Sequence, residues 1–251
     1  MERPLERRTA ARTAVVWDVV QALLEQPDRA GEQQVLDIGG GTGGFAVRVA
    51  ARGNRVTVVD PSPDALAALA RRADEQGVAD RVTGLQGDLG DLVGLAPEGG
   101  VDLVLCHGVL GLVDDPATAL RTIASVLRPG GALSLLVGQR HAAVLARAMA
   151  GHLSAARALL DDAGPTVPGE RQGDRQGERR FTAEEVDGLL GQTGLTPRST
   201  HGIRVFTDLV PSALLDLEPG AGAALLDLER AVAARPEYLT VASQLHVVAT
   251  R

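Results

Sequence analysis

The chain has 251 residues, no lysine, one cysteine and an aromatic content of 2%. Each scarcity excludes something. Cys106 alone cannot form an intramolecular disulfide or a cysteine-rich metal site. With so few rings, surfaces on which nucleic-acid bases could stack are scarce. No apolar run approaches the ~18–20 residues that cross a bilayer. The charged N-terminus, MERPLERRTAARTAV, is not followed by the apolar core of a secretory signal. The expectation is a cytoplasmic protein with no membrane partner. A net charge of −7 argues against a basic nucleic-acid footprint over the whole chain and leaves a local basic patch open. Arginine as the only long cation, with abundant Ala, Gly, Leu and Val, is what GC-rich coding produces and carries no functional weight. His141, His152, His201 and His246 show no metal-ligand spacing, so no metal is expected.

What is present is a strand–helix rhythm. Hydrophobic residues make up 45%, enough for one large α/β core. Strands are expected at Gln34–Ile38, Arg55–Val59, Val82–Gln86, Val101–Cys106 and Ala132–Val137. Helices are expected at Ala10–Glu25, Gly43–Arg52, Pro63–Gln76 and Pro116–Leu127. Such alternation predicts a parallel sheet with helices on both faces. Further along, His141–Leu160 reads as one long helix, and Thr182 with Glu185 signals a capping box. A helix over Pro211–Ala234 lies between two last strands, Leu195–Phe206 and Gln244–Thr250. Residues 161–180 hold an imperfect polar repeat, PTVPGERQGDRQGERR, that lacks apolar residues to pack and reads as a solvated insertion or a lid. The expectation is a single domain over residues 1–251, with the 10–25 helix covering a ligand site.

The segment Val35–Gly44 reads VLDIGGGTGG, a strand that runs into a glycine-rich loop. Gly39, Gly40, Gly41, Gly43 and Gly44 let the backbone come close to a ligand, because glycine has no Cβ and tolerates positive φ. Asp60 ends the second strand, where a carboxylate can accept hydrogen bonds from both ribose hydroxyls and discourages a 2′-phosphate. Gly39-x-Gly41-x-x-Gly44 with Asp60 fits a dinucleotide site as well as an S-adenosylmethionine site. Asp37 favours the second. A carboxylate inside an apolar strand needs to order the loop or meet a cationic amine, and the sulfonium cofactor carries one. The LRPGG segment at Leu127–Gly131 resembles the turn that precedes the fifth strand in methyltransferases and is expected to be a turn here. The absence of lysine removes the Tyr-x-x-x-Lys pair of short-chain dehydrogenases, which weakens the nicotinamide-dependent oxidoreductase reading.

Laid end to end, these motifs resemble the class I S-adenosylmethionine-dependent methyltransferases, and more narrowly the bacterial tRNA 5-carboxymethoxyuridine methyltransferases. The narrower resemblance rests on ARTAVVW at Ala11–Trp17, VDLVLCHGVLGLVDDP at Val101–Pro116, SVLRPGGALSL at Ser125–Leu135, GIRVFTD at Gly202–Asp208 and the PEYLT…LHVVATR ending. It implies a Rossmann-like, mostly parallel seven-stranded sheet with helices on both faces. It also implies that Arg12, Gly39, Gly40, Asp60, Leu89, Gly90 and His107 contact the cofactor. Gly41 and Asp37 belong to the same loop, and Asp88 is a further partner for the adenine amine. The chain departs from the family at Gly138-Gln139, where the family has Tyr-Asn, and at Thr207 and Leu209, where it has His and Tyr. The family's lysine-rich stretch is here the mixed-charge repeat.

These residues suggest roles. Arg12 can clamp the cofactor carboxylate or be a solvated helix arginine. His107 is the candidate general base, or a cofactor contact that orients its loop. Arg204, expected in a strand, can hold an anionic acceptor or form an ordinary salt bridge. Trp17 reads as an apolar anchor, and Cys106 as core. Three functional classes follow. One is a methyltransferase for a carboxylate on a modified tRNA wobble uridine. The second is a small-molecule methyltransferase of the same fold, and the third a non-catalytic S-adenosylmethionine-binding protein.

Overall fold

The computed structural model describes the chain except residues 1–3, 27–30, 98–99, 162–178, 212–213 and 216–219; side chains of residues 4–12 and 161 are also outside the description. The polar repeat therefore lies outside the described residues.

Seven strands form one sheet: β1 Gln34–Ile38, β2 Arg55–Asp60, β3 Val82–Gln86, β4 Val101–His107, β5 Leu127–Gly138, β6 Thr196–Ile203 and β7 Gln244–Thr250. Their order is β3-β2-β1-β4-β5-β7-β6. The pairs β3–β2, β2–β1, β1–β4 and β4–β5 are parallel. β7 runs against β5, because the Gln139 N–H donates to Ser243 O while the Arg251 N–H donates to Gly131 O at the opposite ends of the two strands. Helix α1 Pro4–Leu24 precedes β1, and α2 Ala46–Ala50, α3 Pro63–Glu75, α4 Leu92–Leu95 and α5 Pro116–Val126 lie between the first five strands. Helices α6 Arg140–Met149, α7 Leu153–Asp161, α8 Ala183–Gln192, α9 Ala221–Val232 and α10 Pro236–Leu239 follow. This is the expected Rossmann-like class I architecture.

The chain divides into two compact units. One holds residues 20–136, 187–198 and 247–251, and the other residues 1–19, 137–186 and 199–246. In the first, β1 and β4 are buried almost throughout, with Leu36, Leu103 and Leu105 fully enclosed. Such strands read as continuous apolar runs because helices cover both faces. Local chemistry sets the helix starts. The Ser62 hydroxyl accepts the Ala65 N–H with Pro63 at N1, and Asp115 accepts the N–H groups of Ala117 and Thr118 with Pro116 at N1. In the second unit the expected capping box is present: the Thr182 N–H donates to Glu185 Oε2 at 2.9 Å and the Glu185 N–H to Thr182 Oγ1 at 3.3 Å.

Four expectations are corrected. The helix after the glycine loop begins at Ala46 rather than Gly43, since Gly41–Phe45 form turns and Gly43 has φ 78°. The single helix expected over His141–Leu160 is two, broken at Gly151 with φ 79°. The LRPGG segment is the irregular start of β5, which shifts register against β4 between Val101 and Leu103. The helix expected over Pro211–Ala234 is interrupted at Gly220, with φ 90°: residues 214–215 are helical before it, and Ala221–Val232 form the helix after it.

Candidate functional site

Parallel pairing brings the carboxyl ends of β3, β2, β1 and β4 to one edge. Asp60 faces Gln86 in register, and Ile38 faces both Val59 and Cys106. The strand order reverses between β1 and β4, which is where open α/β sheets bind ligands. The loops carrying Gly39–Gly41, Asp60, Asp88–Gly90 and His107 follow or end these four strands, all within the first unit.

Gly39 and Gly41 adopt φ 65° and 53°, in the left-handed region. Their loop is tied back to β2 by the Gly39 N–H to Val59 O, at 2.8 Å. A Cβ on Gly40 would stand 2.6 Å from Asp37 Oδ2, so the backbone lies directly on that carboxyl group. Asp60 accepts the Gly41 N–H through Oδ2 and the Ser62 N–H through Oδ1, each at 2.9 Å. Each oxygen keeps lone-pair capacity for a hydroxyl. Asp37 is buried, and burial followed by repulsion from Asp60 pushes its pKa up to about 7. Asp88 is exposed and accepts the Gly90 N–H at 2.7 Å. Leu89 between them is buried.

His107 is the last residue of β4. Its Nε2 hydrogen-bonds Ser134 Oγ on β5 at 2.9 Å, and its ring meets Phe45 edge-on with centroids 4.9 Å apart. Burial pushes its pKa down to about 4. It is uncharged at neutral pH and a weak proton acceptor. Cys106 is buried, and its thiol is pushed up to about 12 by burial and by Asp37, which fits its reading as core.

The second unit contains a cavity of about 440 Å³. Ala142, Ala143 and Ala146 of α6 line it, together with three arginines, Arg147, Arg180 and Arg204, and one acid, Asp208. Arg204 is not in the expected strand. It follows β6 with φ 60°, pairs with Asp208 at 2.5 Å, and lacks a hydrogen-bond partner at its buried Nε. Asp208 also accepts from the Ser243 hydroxyl at 2.8 Å. A Cβ on Gly138 would stand 2.9 Å from an Arg180 nitrogen, so this guanidinium occupies space a side chain there would take. Trp17 is buried as expected, while the side chain of Arg12, a residue of α1, lies outside the described residues. Arg147 and Arg180 were not singled out from sequence, where they are two arginines among 25.

The donor set at the sheet edge fits S-adenosylmethionine. A carboxylate ends β2 for the ribose, a buried acid lies under the glycine loop for the amine, and Gly39 of that loop is exposed. Among the described residues no group of His, Cys, Asp and Glu could hold a metal. No described helix is long and apolar enough to cross a membrane.

Comparison with known proteins agrees with this class. Residues 35–131 match a family model described as "Methyltransferase domain". The tRNA 5-carboxymethoxyuridine methyltransferase of Escherichia coli (strain K12) is 30% identical over 241 residues, 96% of this chain and 88% of the relative. The crystal structure of an S-adenosylmethionine-dependent methyltransferase from Mesorhizobium loti aligns with a TM-score of 0.59 at 21% identity, over 96% of this chain and all of that one. A magnesium protoporphyrin IX methyltransferase from Synechocystis PCC 6803, solved with S-adenosylhomocysteine, aligns with a TM-score of 0.58 at 16% identity, over 97% and 83%. The chain belongs to the class I S-adenosylmethionine-dependent methyltransferases. It is an enzyme of that class, and S-adenosylmethionine is its methyl donor.

Proposed function

We propose that this enzyme methylates a carboxylate carried on a modified wobble uridine of tRNA. The observation that carries the reading is the arginine-lined cavity of the second unit, in a chain similar over nearly its full length to a tRNA 5-carboxymethoxyuridine methyltransferase. Bidentate pairing makes arginine well suited to a carboxylate. Bound S-adenosylmethionine supplies a methyl carbon on positive sulfur, which a carboxylate oxygen displaces in line. A carboxylate is ionised at neutral pH and needs no general base. His107, uncharged and hydrogen-bonded to Ser134, then serves to place the cofactor rather than to take a proton. In the same reading Asp60 holds the ribose, and Asp37 meets the amine beneath Gly39, Gly40 and Gly41. Leu89 and Gly90 flank the adenine with Asp88 at its amine, and Arg12 takes the cofactor carboxylate. Arg204 holds the acceptor.

A second reading, a small carboxylate-bearing acceptor, is favoured by Gly138. It stands where the family has tyrosine, and Arg180 fills the freed space. Mass spectrometry of nucleosides from the bulk tRNA of a deletion strain separates the two. Loss of one methyl-ester wobble nucleoside, with its free acid accumulating, is expected. An unchanged nucleoside profile refutes the tRNA reading and leaves the small acceptor.

A further inference from the structure

Glu229 lies on α9, outside every motif described above, and is 2% exposed. Its carboxylate receives four hydrogen bonds from one short stretch of chain. Oε2 accepts the Val205 N–H at 3.0 Å. Oε1 accepts the Phe206 N–H at 2.9 Å, the Thr207 N–H at 2.7 Å and the Thr207 hydroxyl at 2.6 Å. Three successive backbone donors thus converge on one anion, as in a backbone nest. The residue immediately before them is Arg204, whose φ of 60° is the one positive value at a non-glycine residue among those described. A side chain holds that conformation only when its surroundings impose it. Val205 packs with Val232 of the same helix α9 and with Ala242, but apolar contact does not fix a dihedral angle. Asp208 holds the Arg204 guanidinium and the Ser243 N–H donates to Arg204 O at 3.4 Å, while the directional restraint on the backbone that follows Arg204 comes from Glu229.

We infer that Glu229 is a positioning residue: by clamping the N–H groups of residues 205–207 it keeps Arg204 left-handed and its guanidinium at the cavity, so that carboxylate binding there depends on Glu229. The inference rests on Arg204 being the acceptor's anchor, as proposed above. The charge matters because a carboxylate only accepts. A glutamine amide would turn an NH₂ group toward converging N–H donors and leave at least one of them unpaired.

The test uses the full chain and two probes, 5-carboxymethoxyuridine and uridine, with binding read by NMR titration. Wild type is expected to bind the acid in preference to uridine. Glu229→Gln is expected to weaken that binding by about tenfold or more, the scale of losing hydrogen bonds to a charged group. Glu229→Asp, which keeps the charge, should recover part of the loss, and it carries the comparison if the glutamine variant does not fold. Arg204→Ala should weaken binding similarly, and the double variant no further, because the two changes remove one interaction. S-adenosylmethionine affinity stays unchanged in the Glu229 variants. Wild-type affinity in Glu229→Gln, or losses that multiply in the double variant, overturn the inference. If wild type does not distinguish the two nucleosides, the acceptor reading fails, and hydrogen exchange decides the clamp. Exchange at residues 205–207 should accelerate about tenfold or more in Glu229→Gln, while the Gly202 N–H, bonded to Ala233 O at 2.7 Å, stays protected. Unchanged exchange at 205–207 overturns the clamp as well.

Discussion

Asp37 puts an acid where β1 meets the glycine loop, and its burial has a measurable consequence. Its pKa of about 7 in the folded chain lies above the ordinary 3.8, so the folded state binds the proton more tightly than the unfolded state. The associated stability is complete below about pH 4 and is lost as pH rises through 7. The stability of Asp37→Asn relative to wild type is therefore expected to rise from pH 5 to pH 8, as read by urea midpoints. A pH-independent difference would show that Asp37 ionises normally. His107 shifts the other way. With its pKa near 4, its titration lies below the working range, and kcat is expected to show no limb between pH 6 and 9 that His107→Ala removes. Such a limb would restore the base role. Both residues were legible in the sequence because they sit in recognisable segments, but their protonation was not, since it follows from burial. Glu229 left only a faint trace. In AGAALLDLERAV it falls on the stripe of Leu225 and Val232, at spacings of four and three, where an acid is out of place. That spacing marks a buried glutamate without saying what it binds.

Among the elements, those bounded by strong local chemistry were the readable ones. α3 and α5 start at a side-chain cap followed by proline, and α8 starts at its capping box. The break between α6 and α7 was missed because Gly151 sits in an otherwise helical pattern, where one glycine costs a helix only about 1 kcal/mol and does not announce a stop. The α8 cap also does a second task that no local pattern contains. Glu185 Oε1 receives Arg140 Nη1 at 2.8 Å, 45 residues away, and Arg140 Nη2 donates to Arg180 O at 3.0 Å. The Arg140 side chain is only 9% exposed. Glu185→Ala removes the partner of the Thr182 N–H and leaves a buried guanidinium uncompensated. The expected cost is about 2–4 kcal/mol in chemical denaturation, because a stranded buried charge is far more expensive than a lost surface pair. A cost below about 0.5 kcal/mol, typical of exposed pairs, would mean that Arg140 finds another partner or reaches water.

For the molecule as a whole, strand–helix alternation and the glycine loop made the class readable, since both are written in contiguous residues. The cavity proposed as the acceptor site was less so. It gathers Gly138, α6, Arg180, Arg204 and Ser243, which are remote in sequence, and periodicity carries no information about such a meeting. The same distinction separates the two acceptors. A chain of net charge −7 repels tRNA at long range, so tRNA recognition has to rest on local arginines against phosphates. Each phosphate contact releases counterions, and KM then rises steeply with salt. If roughly three phosphates are held in a single-stranded loop, KM for carboxymethoxyuridine tRNA should rise roughly twentyfold between about 50 and about 200 mM salt. KM for a small acceptor held by one carboxylate should rise only a few-fold over the same range, because it displaces few condensed ions. Steady-state kinetics at several salt concentrations measures the slope directly. A slope near zero with tRNA would mean that the anticodon phosphates are not gripped, and that what the enzyme recognises is the carboxylate alone.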